Sequence, residues 1–191
     1  HLLSGGGIGG IEILCRDIAD LSKERHEFCF LYSGGEIADE MQKKGQPIYF
    51  FYKKNLLGRI SSLIKLVKRA QYDVIIVHHE GIGIYTFYVI LTCLFRKIKF
   101  VKYLHCSFEE EYFYVGKKVK DILNYNVLKK VLKCSDHIIA VSEFVKKSYC
   151  VAFHFDTNKV SVVHNGIRFS EDVDLFLKKR ERSDKIRLLY I

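Results

Sequence analysis

Proline is almost absent from this sequence, with one residue in 191. Because proline interrupts helices and inner strands, its scarcity excludes a Pro-rich linker and favours long, regular elements.

Long apolar runs are absent too. The longest nearly apolar stretch, Ile82–Phe95, has 14 residues and is followed by Arg96 and Lys97, so it is too short to cross a bilayer and is predicted to be a buried helix. No basic-then-apolar leader opens the chain, which begins inside a glycine-rich turn, so we expect its first strand to be clipped.

The composition is that of a folded domain. Hydrophobic residues make up 49% and charged residues 28%, which excludes a disordered tail, a collagen-like repeat and a small disulfide scaffold. The length allows one large domain, or one domain and the opening of a second.

The six cysteines stand singly, without a CxxC pair or a Cys/His spacing typical of zinc sites. Cys15, Cys29 and Cys93 lie within apolar periodic segments and are predicted to be small core residues. A chain with this much core does not need disulfides, so we expect a reducing, cytoplasmic location and no metal site.

The charge is concentrated in one segment. Lys and Arg number 31 and Asp and Glu 22, a formal net charge of +9. Between Met41 and Tyr72 there is no acidic residue, and outside this stretch the two signs nearly balance. Such a segment attracts an anionic membrane surface, a nucleic acid or an anionic acceptor, although it is also typical of a solvated helix face. We call it the Lys43–Arg69 basic patch, with Lys43, Lys44, Lys53, Lys54, Arg59, Lys65, Lys68 and Arg69 as its members.

Short apolar runs alternate with helical patterns along the whole chain. The runs are rich in Val, Ile, Phe and Tyr and are apolar on both faces, as parallel strands covered by helices should be. They are Glu27–Tyr32, Pro47–Tyr52, Asp73–His78, Lys99–Leu104, His137–Val141 and Lys159–Val163. Helices are predicted near Ile11–Leu21, Glu36–Lys44, Leu56–Val67, Ile82–Phe95, Lys117–Lys133 and Glu143–Val151, the last with Ser142 as its N-cap. This alternation predicts the α/β class, with a doubly wound, Rossmann-like parallel sheet.

The end of the chain has a different pattern. Residues Glu171–Arg182 are charged and interrupted, and Lys185–Ile191 has the pattern of one more strand. We therefore expect a first domain over residues 1–182, and a linker with the first strand of a second domain over residues 183–191.

Ligands of open α/β sheets bind beyond the carboxyl ends of the strands, so the residues that follow each run are the candidates for a site. The segment Ser4–Glu12 holds five of the 13 glycines and leads directly into a helix, an arrangement that favours contact with a phosphate. Gly5, Gly7 and Gly10 also fit the dinucleotide fingerprint. No acidic residue ends the next strand to hold a ribose, which counts against NAD.

Three further strand ends carry histidine. One run ends in His78 and His79, another in His105, and a third in His164, which is followed by Asn165 and Gly166. A lone histidine after a strand is usually a turn or core residue, but several at the same edge of a sheet could converge on one cleft. Of His78 and His79, one is expected to point into the sheet and the other into the cleft. For His164 a turn position is favoured.

Taken together, these segments resemble the N-terminal half of a GT-B glycosyltransferase of glycosyltransferase family 4. The resemblance depends on five motifs in order between residue 1 and about residue 170. They are Gly9-Gly10-Ile11-Glu12, Asp73-Val74-Ile75-Ile76-Val77-His78, Tyr103-Leu104-His105, the segment from Ser135 to Glu143, and the segment from Lys159 to Ile167.

The resemblance implies transfer of a sugar from a nucleotide-sugar to an acceptor, with retention at the anomeric carbon and with neither a metal nor a cofactor besides the donor. It implies that this half holds the acceptor, a cell-surface glycan or a lipid-linked molecule, that the glycine turn lies near the donor diphosphate, and that His105 lies at the reaction centre. The basic patch would then dock on the anionic inner face of the plasma membrane. The expected substrate- or diphosphate-binding residues are Gly9, Gly10, Glu12, His78, His79, Ser142, Asn165 and Gly166.

The family's second half, with its acidic E-x7-E pair and its basic diphosphate-binding residues, is not recognisable in this chain. We therefore expect the chain to be inactive by itself, with the donor bound mainly by that second half. Two alternatives remain: an NAD(P)-dependent oxidoreductase or epimerase that uses the glycine turn, and a membrane- or nucleic-acid-binding module built on the basic patch. No nucleic acid partner is expected under the glycosyltransferase interpretation.

Overall fold

A computed structural model describes residues 1–51, 55–69, 72–78, 89, 93, 97–109, 119–154 and 156–166. Seven parallel strands form one sheet in the order β3-β2-β1-β4-β5-β6-β7. The strands are β1 (Leu2–Leu3), β2 (Phe28–Phe30), β3 (Ile48–Phe50), β4 (Val74–Val77), β5 (Lys99–Leu104), β6 (His137–Ala140) and β7 (Val160–Val162). The doubly wound, Rossmann-like parallel sheet expected from the sequence is confirmed.

In the described part of the chain, helices follow the strands β1, β2, β3, β5 and β6. They are α1 (Gly10–Leu21), α2 (Glu36–Lys43), α3 (Leu56–Arg69), α4 (Val119–Cys134) and α5 (Glu143–Phe153), followed by a short 3₁₀ turn at Thr157–Lys159. Strands β2 to β7 each lie inside their predicted run. Residues at the edges of those runs extend the pairing of the strands: the Leu31 N–H donates to the Leu3 carbonyl at 3.1 Å, and the His78 N–H donates to the Leu2 carbonyl at 3.0 Å.

The apolar faces of the helices pack on both sides of the sheet. On one side, Leu63 and Val67 of α3 pack against Val77 of β4. On the other, Cys15 of α1 and Met41 of α2 pack with the strands β1 and β2. A third cluster joins α4 and α5 to β5–β7. Because each fully buried large side chain contributes about 1.5–3 kcal/mol of burial free energy, these clusters hold the strands in register.

The order of the strands places a ligand site. Strands are added outward from β1 in one direction through β2 and β3, and in the other through β4 to β7. The direction of winding therefore reverses between β1 and β4, which are hydrogen-bonded neighbours with Leu2 opposite Val77. A crevice opens at such a switch point beyond the carboxyl ends of the strands, because the two flanking connections leave to opposite sides of the sheet.

Some of the predicted features lie outside the described residues. These are His79, Lys53 and Lys54, most of the Ile82–Phe95 helix, and everything from residue 167 onward, including the expected domain boundary at residues 182 and 183. Within the part of the chain that is described, no helix combines the length and the apolar character needed to cross a bilayer.

Candidate functional site

A cavity of about 440 Å³ lies at the switch point of the sheet. Five of the residues predicted from the sequence line it, namely Gly10, Glu12, His78, His105 and Asn165, together with Leu3, Ser4 and Ile11. They follow β1, β4, β5 and β7 and include the first turn of α1. Parallel strands end at one edge of the sheet, and this common edge brings together residues that are far apart in sequence.

The first turn of α1 forms one wall of the cavity. Gly9 is the N-cap, has extended backbone angles and offers no side-chain cap to the helix. Its carbonyl accepts the Ile13 N–H at 2.9 Å, so the N–H groups of the preceding turn have no partner within the helix. Backbone donors at a helix N-terminus, together with the positive end of the helix dipole, favour an anion.

The glycine turn is held in place by a second glycine loop. Gly35 has φ +159°, and a Cβ atom there would lie 2.6 Å from the Gly6 carbonyl oxygen and 2.6 Å from the Gly7 nitrogen. A Cβ on Gly6 would in turn lie 2.5 Å from the Cβ of Ala38. The Ala38 N–H also donates to the Gly6 carbonyl at 3.1 Å. The close approach of the two loops therefore requires glycine at both positions, and it fixes the loop that leads into α1.

His78 and His105 are in direct contact at the ends of two neighbouring strands. The Nδ1 atom of His78 lies 3.0 Å from Nε2 of His105, and the two rings are stacked with centroids 5.3 Å apart. His78 is 1% exposed and also lines the cavity, so its ring is both buried against the sheet and part of the cleft, while His79 lies outside the described residues. Burial, then the neighbouring His105, holds the pKa of His78 well below its usual value. Burial, helped by Lys102, lowers the pKa of His105 to about 4.

The contact continues through two more histidines. Nε2 of His78 lies 2.9 Å from Nδ1 of His1, and Nε2 of His1 lies 3.0 Å from Nδ1 of His26. We call these four residues, in the order His26, His1, His78 and His105, the histidine row. His1 and His26 were not predicted from the sequence, because nothing in their spacing links them to strands that follow much later in the chain.

Tyr103 was also missed. Its ring lies 4.5 Å from that of His105 and 5.2 Å from that of His78, centroid to centroid. Residues two apart on a strand share one face, so the position of Tyr103 could have been predicted from that of His105. Its hydroxyl donates to the Val163 carbonyl at 3.5 Å, linking this face to the segment that carries Asn165.

Three predicted residues do not line the cavity. Ser142 is the N-cap of α5, as expected, and its Oγ accepts the Val145 N–H at 3.2 Å. Gly9 directly precedes the cavity-lining turn of α1, and Gly166 directly follows Asn165 in an exposed segment. His164 is exposed, in agreement with a turn position.

One group of side chains within the described residues has the spacing of metal ligands. Ligand atoms of His1, Cys15 and His78 all lie within 4.8 Å of one another. The two imidazoles, however, share a hydrogen bond with each other, and burial raises the pKa of the Cys15 thiol to about 12, so the thiolate that a metal needs is disfavoured. The geometry is that of a hydrogen-bonded core group, and a metal-free site stays a prediction.

A larger hollow of about 770 Å³ lies at the amino-terminal edge of the sheet. There Glu27 accepts hydrogen bonds from the hydroxyls of Tyr72 at 2.6 Å and Tyr49 at 3.2 Å, and Arg25 pairs with it at 2.8 Å. The Glu27 carboxylate of this hollow is thus engaged by three neighbouring side chains. We place the functional site in the smaller cavity, because it lies at the carboxyl edge, where sheets of this type bind ligands.

The described members of the basic patch lie on α2, in the turn after it, and on α3. Lys65, Lys68 and Arg69 are exposed on α3, opposite the buried Leu63 and Val67. Leu57 on the same helix is 77% exposed. The patch therefore combines cations with an exposed apolar side chain on one helix.

Comparison with known proteins agrees with this geometry. The family model described as Glycosyltransferase Family 4 matches residues 8–171. A curated relative from Phocaeicola vulgatus, the UDP-N-acetylglucosamine–N-acetylmuramyl-(pentapeptide) pyrophosphoryl-undecaprenol N-acetylglucosamine transferase, is 42% identical over 76 residues, which cover 35% of this chain and 20% of that protein.

Two solved structures show the same fold at low identity. HepE from Anabaena, in complex with UDP, is 18% identical with a TM-score of 0.65, over 93% of this chain and 49% of that one. UDP-GlcNAc 2-epimerase from Neisseria meningitidis, bound to UDP-GlcNAc, is 18% identical with a TM-score of 0.54, over 86% and 46% of the two chains. The chain thus spans about half the length of these structures and a fifth of the curated relative. The sheet is the expected N-terminal half of a GT-B fold, and the chain belongs to glycosyltransferase family 4.

Proposed function

We propose that this chain is the acceptor-binding half of a retaining glycosyltransferase that moves a sugar from a nucleotide-sugar to an acceptor. The observation that carries the proposal is the cavity at the switch point, where the open N-terminus of α1, the buried His78 and the half-buried His105 line one space. Family membership supports the reaction class. Retention, the acceptor and the division of labour between halves are parts of the proposal.

The N-terminus of α1 has the chemistry needed for a departing diphosphate. Negative charge develops on the leaving group, and fixed backbone N–H groups in a water-poor site stabilise it without reorganisation. Glu12, in the same turn, is an acceptor and repels phosphate, so it suits a sugar or acceptor hydroxyl instead. The UDP and UDP-GlcNAc named in the two solved structures are donors or donor fragments of the kind proposed here.

His105 supplies the polar side chain at the reaction centre. Because its pKa is about 4, its imidazole is neutral at physiological pH, and it orients a hydroxyl or a sugar oxygen without adding a charge. Tyr103 and His78 pack against the ring and limit its rotation.

The acceptor is proposed to be a glycan or a lipid-linked molecule, reached from the cytoplasmic face of a membrane. The exposed cations of α3, on the same helix as the exposed Leu57, suit an anionic lipid surface, to which each such cation contributes about 1 kcal/mol. The name of the Phocaeicola vulgatus relative describes a pyrophosphoryl-undecaprenol acceptor, which is a lipid-linked one.

A second candidate is epimerisation of a UDP-sugar, which the fold similarity to UDP-GlcNAc 2-epimerase favours. An epimerase converts the donor alone and needs no acceptor. The two activities therefore differ in whether product formation depends on an added acceptor.

The test is a product assay with the full-length protein. It is incubated with labelled UDP- and GDP-sugars, with and without lipid extracts or glycan acceptors, and in the presence and absence of EDTA. The proposal expects transfer that depends on the acceptor, retains the anomeric configuration by NMR of the product, and continues in EDTA. Conversion of a UDP-sugar without an acceptor would identify the epimerase, and an inverted product would contradict the retaining mechanism.

A further inference from the structure

The histidine row connects the cavity to a buried ring nitrogen of His26, a residue that lies just before β2. Its three contacts, of 2.9 to 3.0 Å, each join one ring nitrogen to another. In His1 and His78 both ring nitrogens are used by the row. A neutral imidazole carries one N–H and one lone pair, so a residue that bonds on both sides must donate to one neighbour and accept from the other.

His26, at the end of the row away from the cavity, decides in which direction the hydrogen bonds of the row are donated. Nε2 of His26 is buried and, among the described residues, has no hydrogen-bond partner. A buried N–H without an acceptor costs about 1–3 kcal/mol, and buried donors are left unpaired more rarely than buried acceptors. Burial lowers the pKa of His26 and so favours its neutral form. The single proton of His26 therefore belongs on Nδ1, the atom that faces His1.

From this end the protons are assigned one residue at a time. His26 Nδ1–H donates to Nε2 of His1, so the proton of His1 lies on Nδ1 and is donated to Nε2 of His78. The proton of His78 then lies on Nδ1 and is donated to Nε2 of His105. A doubly protonated His1 would donate to both of its neighbours and would leave the assignment of His78 and His105 unchanged.

We propose that the histidine row fixes His105 as the Nδ1–H tautomer, so that His105 is a hydrogen-bond donor to a substrate oxygen in the cavity and His78 is the positioning residue that keeps it so. This inference rests on the proposed function, which places substrate in that cavity. Nδ1 of His105 makes no hydrogen bond within the described residues, so it is the ring nitrogen left for a ligand. The lone pair at Nε2 is occupied by His78.

The residues around His78 and His105 favour His105 as a hydrogen-bond donor. Glu12, which lines the same cavity, favours an N–H pointing into it, since a carboxylate only accepts hydrogen bonds when ionised. Lys102, buried in β5, disfavours a second proton on either imidazole. His105 thus binds an oxygen lone pair and does not remove a proton from the acceptor hydroxyl.

The first measurement is the tautomer itself. In full-length protein labelled with ¹⁵N-histidine, two-bond ¹⁵N–¹H spectra at neutral pH report which ring nitrogen carries the proton, and His105→Gln assigns the signals. The inference expects a protonated Nδ1 and an unprotonated Nε2 in His105. The opposite pattern would overturn it, whether or not the protein transfers sugar, so this result is independent of the proposed function.

The second measurement tests whether His78 positions His105 or only supports the fold. His78→Asn keeps an amide N–H near the place of Nδ1, whereas His78→Leu removes the donor at similar volume. We expect His78→Leu to populate both tautomers of His105 and to lower kcat by about 10²-fold, the scale of a misplaced reacting group, and His78→Asn to retain Nδ1–H and most of kcat. His137→Asn, at the start of β6 and outside the row, is the matched control. The positioning role would be contradicted if His78→Leu had the same kcat as wild type. It would also be contradicted if both His78 variants lost kcat equally while the His105 signals stayed unchanged.

Discussion

Ser148 fastens the segment that follows His105 to helix α5. Its Oγ accepts the backbone N–H of Phe108 at 2.7 Å and donates to Oε2 of Glu109 at 2.6 Å. This hydrogen bond, with others from nearby groups, lowers the pKa of Glu109. Ser148 is buried, and the ring of Phe108 packs edge-on against Phe153 on the same helix. The direction in which the chain leaves β5 is therefore set by a serine on a helix about 40 residues later.

Ser148→Ala is expected to lower the free energy of unfolding by about 1–3 kcal/mol, because a buried hydrogen-bonding group loses its partner. Chemical denaturation monitored by circular dichroism measures the change. Ser161→Ala is the matched control: Ser161 is exposed and bonds only to His137 within the described residues, so its loss should stay within about 0.5 kcal/mol. Equal effects of the two substitutions would show that the Ser148 anchor does not contribute to stability.

Ser142→Ala is expected to cost about 1 kcal/mol of stability through loss of the N-cap of α5, and Ser142→Asp is expected to restore it. Thermal unfolding of the three proteins checks this. KM for donor and acceptor should be unchanged in Ser142→Asp if the serine only caps the helix. A rise of KM in the well-folded Asp variant would instead support the predicted substrate contact of Ser142.

His105→Ala in the full-length enzyme is expected to lower turnover by about 10²-fold or more, the scale of a positioned polar group at a reaction centre. His154→Ala, an exposed residue at the end of α5, is the control and should retain activity. Steady-state kinetics with saturating donor and acceptor measure both variants. Nearly normal turnover of a folded His105→Ala protein would remove His105 from the site.

Replacement of Lys65, Lys68 and Arg69 by Glu is expected to weaken binding to anionic vesicles by about 10²-fold or more, at about 1 kcal/mol for each cation near the surface. Co-sedimentation with vesicles at low salt measures this. The control variant replaces three exposed lysines on other helices, Lys130, Lys133 and Lys147, so that its net charge is the same. If the wild type does not bind the vesicles, or if both variants lose binding equally, the membrane role of the basic patch is wrong.

Acid is expected to destabilise the fold through His105 before the carboxylates titrate. The folded pKa of about 4 is below the unfolded value of about 6.5, so the folded state binds the proton less well than the unfolded state. The contribution of His105 to stability is full above pH 6.5 and decreases as the pH falls, by about 2 kcal/mol at pH 5. Denaturation at pH 7.5, 6 and 5 should show a smaller loss in His105→Gln than in wild type, whereas His137→Gln should follow wild type. Parallel curves for wild type and His105→Gln would show that His105 is not buried as a neutral ring.

The order of elements, the glycine turn and the cap at Ser142 were determined by the sequence. Each of these is local: alternating apolar runs and helical periods need neighbours a few residues away, and a serine before a helix bonds three residues ahead. The five motifs from Gly9 to Ile167 also sufficed to predict the family. The need for glycine at Gly35 was not predictable, since it arises from the approach of a loop almost 30 residues away.

The site itself depended on the tertiary structure. The sequence identified histidines at strand ends, but only the reversal of strand order between β1 and β4 decided which of them meet. The register of the parallel strands set His78 against His105, 27 residues later, and against His1, 77 residues earlier. Side chains on different strands touch according to sheet order and register, and neither is encoded in the periodicity of a single strand. For that reason the histidine row, with the proton positions it fixes, could be recognised only in the folded protein.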